Sequence, residues 1–358
     1  MKKILSLALA LLLTLSLAAC GGQTPPPAPP AGGNSGSAPQ EEGFTPTGKL
    51  VIYTSMYEDI IEQISETLED VFPECDIEFF YGGTGTLQAK IAAEIETGKL
   101  GCDMLMVAEP SYSLELLEKG LLHPYLSPEM SKLAFNHDAE GYWSPVRISN
   151  MVLAYNPEKK NKSDIPNSFY DFAYDSRVKG KVSMSNPLTS GTALAAVSAL
   201  SDKYGYEYFD ALAKQNVMVE SGSAALAKLE TGECDVIMIL EESVLKKREE
   251  EGSKLEVIYP TDGTINVPST IMTINDEWNA NKNLQSAQAL TDWFLSTEGQ
   301  DAIVSAWMHS VRADYPNPPY DAIPTKDIVA NIIPVDWVRS FRERDEIRTK
   351  FQEAVTVS

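Results

Sequence analysis

Ala227-Lys228-Leu229-Glu230-Thr231-Gly232-Glu233-Cys234-Asp235 runs into Val236-Ile237-Met238-Ile239-Leu240, and the chain has used this phrase before. Ala89-Lys90-Ile91 and Glu96-Thr97-Gly98 lead in the same way to Cys102-Asp103 and Met104-Leu105-Met106-Val107. Each copy is a helix end, a glycine stop and a short apolar run with the length of a buried strand. Each run also ends on acids followed by a serine: Glu109 with Ser111, and Glu241-Glu242 with Ser243. Two similar units far apart in one chain describe two α/β lobes, and not a short-period solenoid. Cys102 and Cys234 occupy matching strand starts in different lobes, so both are expected to be buried thiols.

Outward from the first copy, residues 49–55 (KLVIYTS) read as a buried strand. Ile60, Ile61, Ile64, Leu68 and Val71 then fall at helical spacing, residues 76–81 form a second strand, and Gly82-Gly83-Thr84-Gly85-Thr86 opens a helix marked by Leu87, Ile91 and Ile95 with a stop at Gly98. Residues 102–108 complete a β-α-β-α-β order, which implies a mostly parallel, doubly wound sheet. Around the second copy, residues 181–185 are strand-like, and Thr189-Ser190-Gly191-Thr192 opens a helix that stops near Gly205. The extended, apolar-rich stretches 146–155 (VRISNMVLAY) and 265–274 (INVPSTIMTI) are expected to be crossover strands forming a hinge. Helices are expected over 287–294, 301–307 and 335–354. The expected division is a first lobe of 49–148 with 272–358 and a second of 149–271.

The N-terminus supplies an address. Lys2-Lys3, an apolar run over 4–13 and small residues before a cut describe a secretory signal peptide over 1–19, too short for a membrane span. Leu17-Ala18-Ala19-Cys20 resembles a bacterial lipobox, which implies lipidation at Cys20. The Pro, Gly, Ser and Ala that follow, to Gly48, form a spacer that cannot bury enough apolar surface to order itself, with a reach of at most roughly 80 Å. The protein is thus expected outside the cytoplasm, lipid-anchored to the outer face of the cell membrane. A formal charge of −22 argues against nucleic-acid partners. Three cysteines besides Cys20 permit at most one disulfide, and three histidines without CxxC or HExxH give a zinc site almost no support.

With Leu290-Thr291-Asp292-Trp293-Phe294-Leu295-Ser296-Thr297-Glu298-Gly299-Gln300, these features resemble the solute-binding proteins of ABC importers. Residues 82–90 (GGTGTLQAK), 187–194 (PLTSGTAL) and 257–268 (VIYPTDGTINVP) look most like the branch concerned with ferric iron or 2-aminoethylphosphonate. The resemblance implies a type II periplasmic-binding-protein-like fold whose two lobes close on a solute and then dock on a membrane permease. It implies a monomer that does no chemistry on its cargo and needs no cofactor or resident metal.

Ligands of open parallel sheets sit beyond the carboxyl ends of the strands. Candidates there are Ser55; Gly83, Thr84, Gly85 and Thr86; Glu109; Ser190, Gly191 and Thr192; and Glu241 with Glu242. Two openings with small residues at helix N-termini, one per lobe, suit an anion through free N–H groups and the helix dipole. Thr84 and Ser190 are equally placed to be simple N-caps. The carboxylates suit a cation or ammonium group, although only one of Glu241 and Glu242 is expected to face the cleft. Arg147, on a crossover, suits a ligand anion or a structural ion pair. Together these fit a zwitterion with a phosphonate or phosphate group and an amine.

Iron binders of the resembled branch use adjacent tyrosines. This chain has no Tyr-Tyr pair, and Leu240-Glu241-Glu242-Ser243 stands in the corresponding stretch. Ferric iron remains open through Tyr53, Tyr81, Tyr112 or Tyr259 meeting in space. A secreted hydrolase is the rival class. It lacks a GxSxG elbow, an HExxH metal motif and a GxxxxGK[ST] loop, though its acid-rich loops leave a glycosidase formally open.

Overall fold

The computed structural model describes residues 44–355, so the expected signal peptide, the expected lipidation site Cys20 and most of the expected spacer lie outside the described residues. Helices and strands alternate. The first part runs β1 (Gly48–Thr54), α1 (Glu58–Val71), β2 (Cys75–Tyr81), α2 (Thr84–Thr97), β3 (Met104–Ala108), α3 (Ser111–Glu118) and β4 (Leu122–His123). The long β5 (Ser144–Tyr155) leads to α4 (Phe169–Tyr174), β6 (Val182–Ser185), α5 (Gly191–Tyr204), α6 (Glu207–Lys214), β7 (Met218–Glu220), α7 (Gly222–Thr231), β8 (Val236–Leu240), α8 (Glu241–Glu251) and β9 (Glu256–Ile258). A second long strand, β10 (Ile265–Ile274), precedes α9 (Leu284–Leu295), α10 (Thr297–Ser305), α11 (Thr325–Val329), α12 (Trp337–Arg342) and α13 (Arg344–Ala354).

The repeated phrase folds twice in the same way. Gly98 and Gly232 both end their helices in the left-handed conformation (φ 80° and 81°), with the cap N–H returned to Ile95 and Leu229. That conformation excludes most side chains, which is why each stop is glycine. The strands that follow, β3 and β8, are buried along their whole length. Cys102 and Cys234 are buried free thiols, and Cys75 is free and half-buried.

The strand order is β2-β1-β3-β10-β5-β8-β6-β7. Within each expected lobe the pairs β1-β2, β1-β3, β6-β7 and β6-β8 are parallel. β5 and β10 instead run antiparallel to each other and to β8 and β3, so "mostly parallel" holds for each strand group but not for the crossovers. Both crossover strands change neighbours along their length. β10 pairs β3 through Ser269–Thr273, and β5 pairs β8 through Met151–Tyr155. Between Ser269 and Thr270 the register slips. Such a bulge increases local twist and re-aims a side chain, and this one sits opposite Arg147.

Separate apolar clusters flank the sheet. Leu50, Ile52, Ile60, Ile64 and Leu68 pack with Phe294 and Ile303, whereas Phe169, Phe172, Leu200, Tyr208 and Phe209 form the cluster around β6. Ile347, Phe351 and Val355 of the C-terminal segment join this second cluster. The single helix expected over 335–354 is two helices, broken at Glu343, which caps one and begins the next. The spacer expected to end at Gly48 is already pinned at Thr47, whose N–H donates to Ser286 Oγ (3.1 Å) and whose carbonyl accepts from Asn283 (2.7 Å). Among the described residues no helix is long and apolar enough to cross a membrane.

Candidate functional site

The strand ends and helix starts of both halves meet at a cavity of about 250 Å³. On one side β1 ends at Thr54, whose hydroxyl donates to Met106 O (3.0 Å), and Ser55 Oγ accepts from the Ala108 N–H (2.9 Å). These bonds fix the floor beside β3. Next to it α2 opens with Gly83 as N-cap, and no side chain caps its free N–H groups. Thr84 is buried, and its Oγ1 has no partner among the described residues. On the other side α5 is capped by Ser190, whose Oγ accepts from the Ala193 N–H (3.2 Å) and lies 3.0 Å from Thr192 Oγ1.

The two openings stand almost in contact. A Cβ on Gly191 would lie 2.7 Å from Thr84 Oγ1 and 3.2 Å from Glu109 Cγ, and one on Gly83 would lie 3.0 Å from Thr189 O. Only a residue without a side chain permits this approach at position 191. A third helix, α7, opens onto the same cavity at Ser221 and Gly222.

Arg147 reaches the cavity from β5. Its Nη1 donates to Ser149 Oγ (3.2 Å), lies 2.8 Å from Met308 Sδ and stands 3.8 Å from Glu242 Oε1. Its Nε is buried without a partner among the described residues. Burial lowers the guanidinium pKa, and Glu242 partly offsets that effect. Glu242 accepts from Ser149 Oγ (2.7 Å), and burial raises its pKa despite Arg147. A guanidinium with unused donor capacity, beside three helix N-termini, suits a phosphoryl or carboxylate oxyanion. Glu242 and Glu220 line it as acceptors, but Glu220 is already held by Ser183 (2.7 Å) and Lys228 (2.9 Å).

Of the sequence candidates, Ser55, Gly83, Thr84, Thr86, Arg147, Ser190, Gly191, Thr192 and Glu242 line this cavity. Gly85 does not. It lies against the backbone of the opposing loop, where a Cβ would meet Leu188 O at 3.2 Å. Glu109 also leaves the lining: it is buried in the left-handed conformation (φ 71°), and its Oε2 accepts from the Ser111 N–H (3.1 Å) and hydroxyl. Burial raises its pKa to about 7, against the pull of Ser111, Arg344 and Arg348.

Glu241 is the larger departure. Helix α8 begins there, so Glu241 and Glu242 diverge by a helical step. Glu241 turns away from the cavity to meet Asn150 Nδ2 (2.6 Å), the Tyr259 hydroxyl and His309 Nε2 (2.9 Å). The four tyrosines considered for iron do not converge. Tyr53 donates to Glu94 (2.8 Å), Tyr112 lies in an apolar cluster, Tyr259 is held by Glu241, and Tyr81 alone of the four lines the cavity. Among the described residues no group of three His, Cys, Asp or Glu side chains is placed to hold a metal ion.

Sequence reasoning missed Tyr57, Asn186, Ser221 and Gly222, all of which line the cavity. Ser221-Gly222 after Glu220 carried the same small-residue signal as Ser190-Gly191, but followed a strand of only three residues.

Comparison with known proteins agrees with this fold. Residues 50–308 match the family model described as bacterial extracellular solute-binding protein. A probable ABC transporter periplasmic-binding protein of Sinorhizobium fredii is 26% identical over 238 residues, which span 62% of this chain and 63% of that protein. The fold is similar to that of AfuA from Actinobacillus pleuropneumoniae, solved with fructose-6-phosphate (TM-score 0.73, 23% identity, 87% of this chain and 99% of the other). It is equally similar to that of iron-bound HitA from Pseudomonas aeruginosa (TM-score 0.73, 23% identity, 86% and 99%). With more than two thirds of its length covered by that family model, the chain belongs to the bacterial extracellular solute-binding proteins.

Proposed function

We propose that this chain is the solute-capturing component of an ABC importer, and that its cargo is a small solute bearing a phosphate or phosphonate group. The observation that carries the reading is the unmet hydrogen-bonding capacity at one point. Thr84 Oγ1 and Arg147 Nε are buried without partners among the described residues, α2 opens beside them with no side-chain cap, and the N-terminus of α5 opens directly opposite. Buried polar groups are rarely left unpaired, so such a cluster in a cavity is filled when a ligand supplies the partners. A dianion with several acceptor oxygens fits that demand. Glu242 then faces an ammonium or hydroxyl group of the same solute, as 2-aminoethylphosphonate or a phosphate ester would present.

The lobes we assign meet at β5 and β10, with 49–148 and 272–358 on one side and 149–271 on the other, although the end of the C-terminal segment reaches across. The C-terminal segment bridges them. Arg344 pairs with Glu115 of α3 (2.9 Å), while Ile347 and Phe351 pack into the second lobe's core. A hinge at the two crossover strands lets the lobes close over the solute, and the closed form docks on the permease. In this reading the protein works as a monomer, is extracytoplasmic and is held by a lipid on Cys20. The spacer raises its effective concentration at the permease.

Ferric iron has weaker support here, although HitA was solved with iron bound. Tyr57 and Tyr81 stand at the cleft with ring centroids 6.5 Å apart, but burial and Glu242 push the Tyr57 hydroxyl up to about 12, which opposes the phenolate that a ferric ion needs. Calorimetry and thermal melting with 2-aminoethylphosphonate, a phosphate ester and ferric citrate test the reading. At one hundred times Kd a phosphorylated ligand should add about 2.7 kcal/mol to stability. Arg147→Met should weaken that ligand by about 2 kcal/mol. Stabilisation and colour with iron, and neither with phosphorylated solutes, overturn it.

A further inference from the structure

The cavity around Arg147 is not isolated. A second chamber of about 680 Å³ adjoins it, and the two share Tyr57, Tyr81, Ser221, Gly222 and Glu242 as common walls. The outer chamber continues past this boundary over Ile60, Leu226 and Ala227. Tyr57 and Tyr81 are 38% and 37% exposed, so the boundary offers aromatic surface to whatever enters. Its lysines are paired with acids, while Glu58 stands exposed at its edge. Lys247 bonds to Glu230 (3.1 Å) and Glu251 (2.7 Å), and Lys246 lies 3.7 Å from Glu250. The outer chamber therefore presents ring faces, hydroxyls, short apolar side chains and the Glu58 carboxylate, where the inner one presents a guanidinium and helix N-termini.

Size separates the roles as well as chemistry does. At about 250 Å³ the inner cavity falls below the usual range of small-molecule sites, roughly 300–1,000 Å³, while the two chambers together fall inside it. We infer that the solute has two parts. Its phosphoryl group fills the inner cavity, and an uncharged, ring-sized organic body extends past the Tyr57–Tyr81 pair into the outer chamber. This rests on the phosphoryl reading above and narrows it. The natural cargo is a phosphomonoester with a body well beyond two carbons, and a two-carbon phosphonate leaves most of the site empty. Tyr57 and Tyr81 then determine specificity by grading solutes on the part that carries no charge.

Calorimetry on the whole chain, with inorganic phosphate, 2-aminoethylphosphonate and glucose 6-phosphate as probes, tests this. Affinity should rise along the series, with the hexose phosphate at least about tenfold tighter than the two-carbon phosphonate, as apolar and ring contacts are added. Ala227→Trp fills the outer chamber from an exposed position on α7 and should bring the two affinities to within about twofold; Ser223→Trp obstructs it independently. Equal affinities in the unsubstituted protein, or a preference for the hexose phosphate that survives both obstructions, overturn the two-part solute. If none of the three probes binds, the phosphoryl reading itself falls and this inference falls with it. That outcome differs from binding without rank, which removes only the outer chamber's role.

Discussion

Glu241 and Glu242 are neighbours in the chain and are both buried, yet they belong to opposite kinds of site. Glu241 is met by Asn150, Tyr259 and His309, and the network runs on through Asn266 on β10 and Thr325, which lies 2.8 Å from His309 Nδ1. It ties both crossover strands to the C-terminal segment. Around Glu242 the opposite holds: Arg147 is 3.8 Å away with an idle Nε, and Thr84 Oγ1 and Ser269 Oγ lack partners among the described residues. A well-satisfied buried network specifies structure, and an unsatisfied one leaves capacity that a ligand can meet. The proposed hinge and the cleft thus differ less in residue type than in how completely their polar atoms are used: in the Glu241 network Asn266 Oδ1 alone lacks a partner among the described residues, against Arg147 Nε, Thr84 Oγ1 and Ser269 Oγ at the cleft.

The strongest way to break this contrast is to substitute each acid alone. Glu241→Gln removes the charge from a site with three polar partners and should cost about 3 kcal/mol in the ligand-free protein, as the loss of one member of a buried charged network does. Glu242→Gln should cost about 1 kcal/mol or less, because burial already disfavours its charge, while weakening ligand binding. Urea midpoints of the two variants decide the matter. Equal losses would mean that the cleft is as structural as the hinge.

Glu109 gives the next largest effect. Its folded pKa of about 7 lies above the unfolded value near 4.5, so between those values the folded state binds more protons than the unfolded one. Stability therefore falls as pH rises from about 4.5 to about 7, by up to about 3 kcal/mol from this group, and stays level above. Glu109→Gln should flatten that slope and raise the melting temperature at pH 8. An unchanged pH profile in the variant would assign the slope to other acids.

Much of this was legible in the sequence for local reasons. Gly98 and Gly232 announced two helix stops because left-handed backbone selects glycine, and Ser190-Gly191-Thr192 announced a helix opening. The unlike fates of Glu241 and Glu242 were not legible. The residue period changes from two to 3.6 at Glu241, so strand alternation no longer tells which side chain turns inward. Gly85 and Glu109 lay beside the cleft in sequence but were claimed by packing and by a left-handed turn, which only the opposing lobe and Ser111 explain. The break at Glu343 has no proline or glycine to mark it. Tyr57 stands just before the helical spacing that begins at Ile60, and nothing in that period marks it as a wall of the cleft.

The smallest expected effect tests whether the contrast extends to steric fit. Gly191 begins α5 with ordinary helical freedom, so alanine there suits the helix and should leave the ligand-free protein as stable or slightly more so. Its methyl group would nevertheless come within 2.7 Å of Thr84 Oγ1 on the opposing side, too close to tolerate without movement. The lobes can avoid that contact by staying slightly apart, which lengthens every hydrogen bond to a ligand held between the two helix openings. Gly191→Ala should then weaken the best phosphorylated ligand by about tenfold, or about 1.4 kcal/mol, mainly through faster release. Stopped-flow dissociation beside a urea titration separates the two quantities. A loss of stability with unchanged release would place Gly191 with the hinge, among residues that hold the fold and not the cargo.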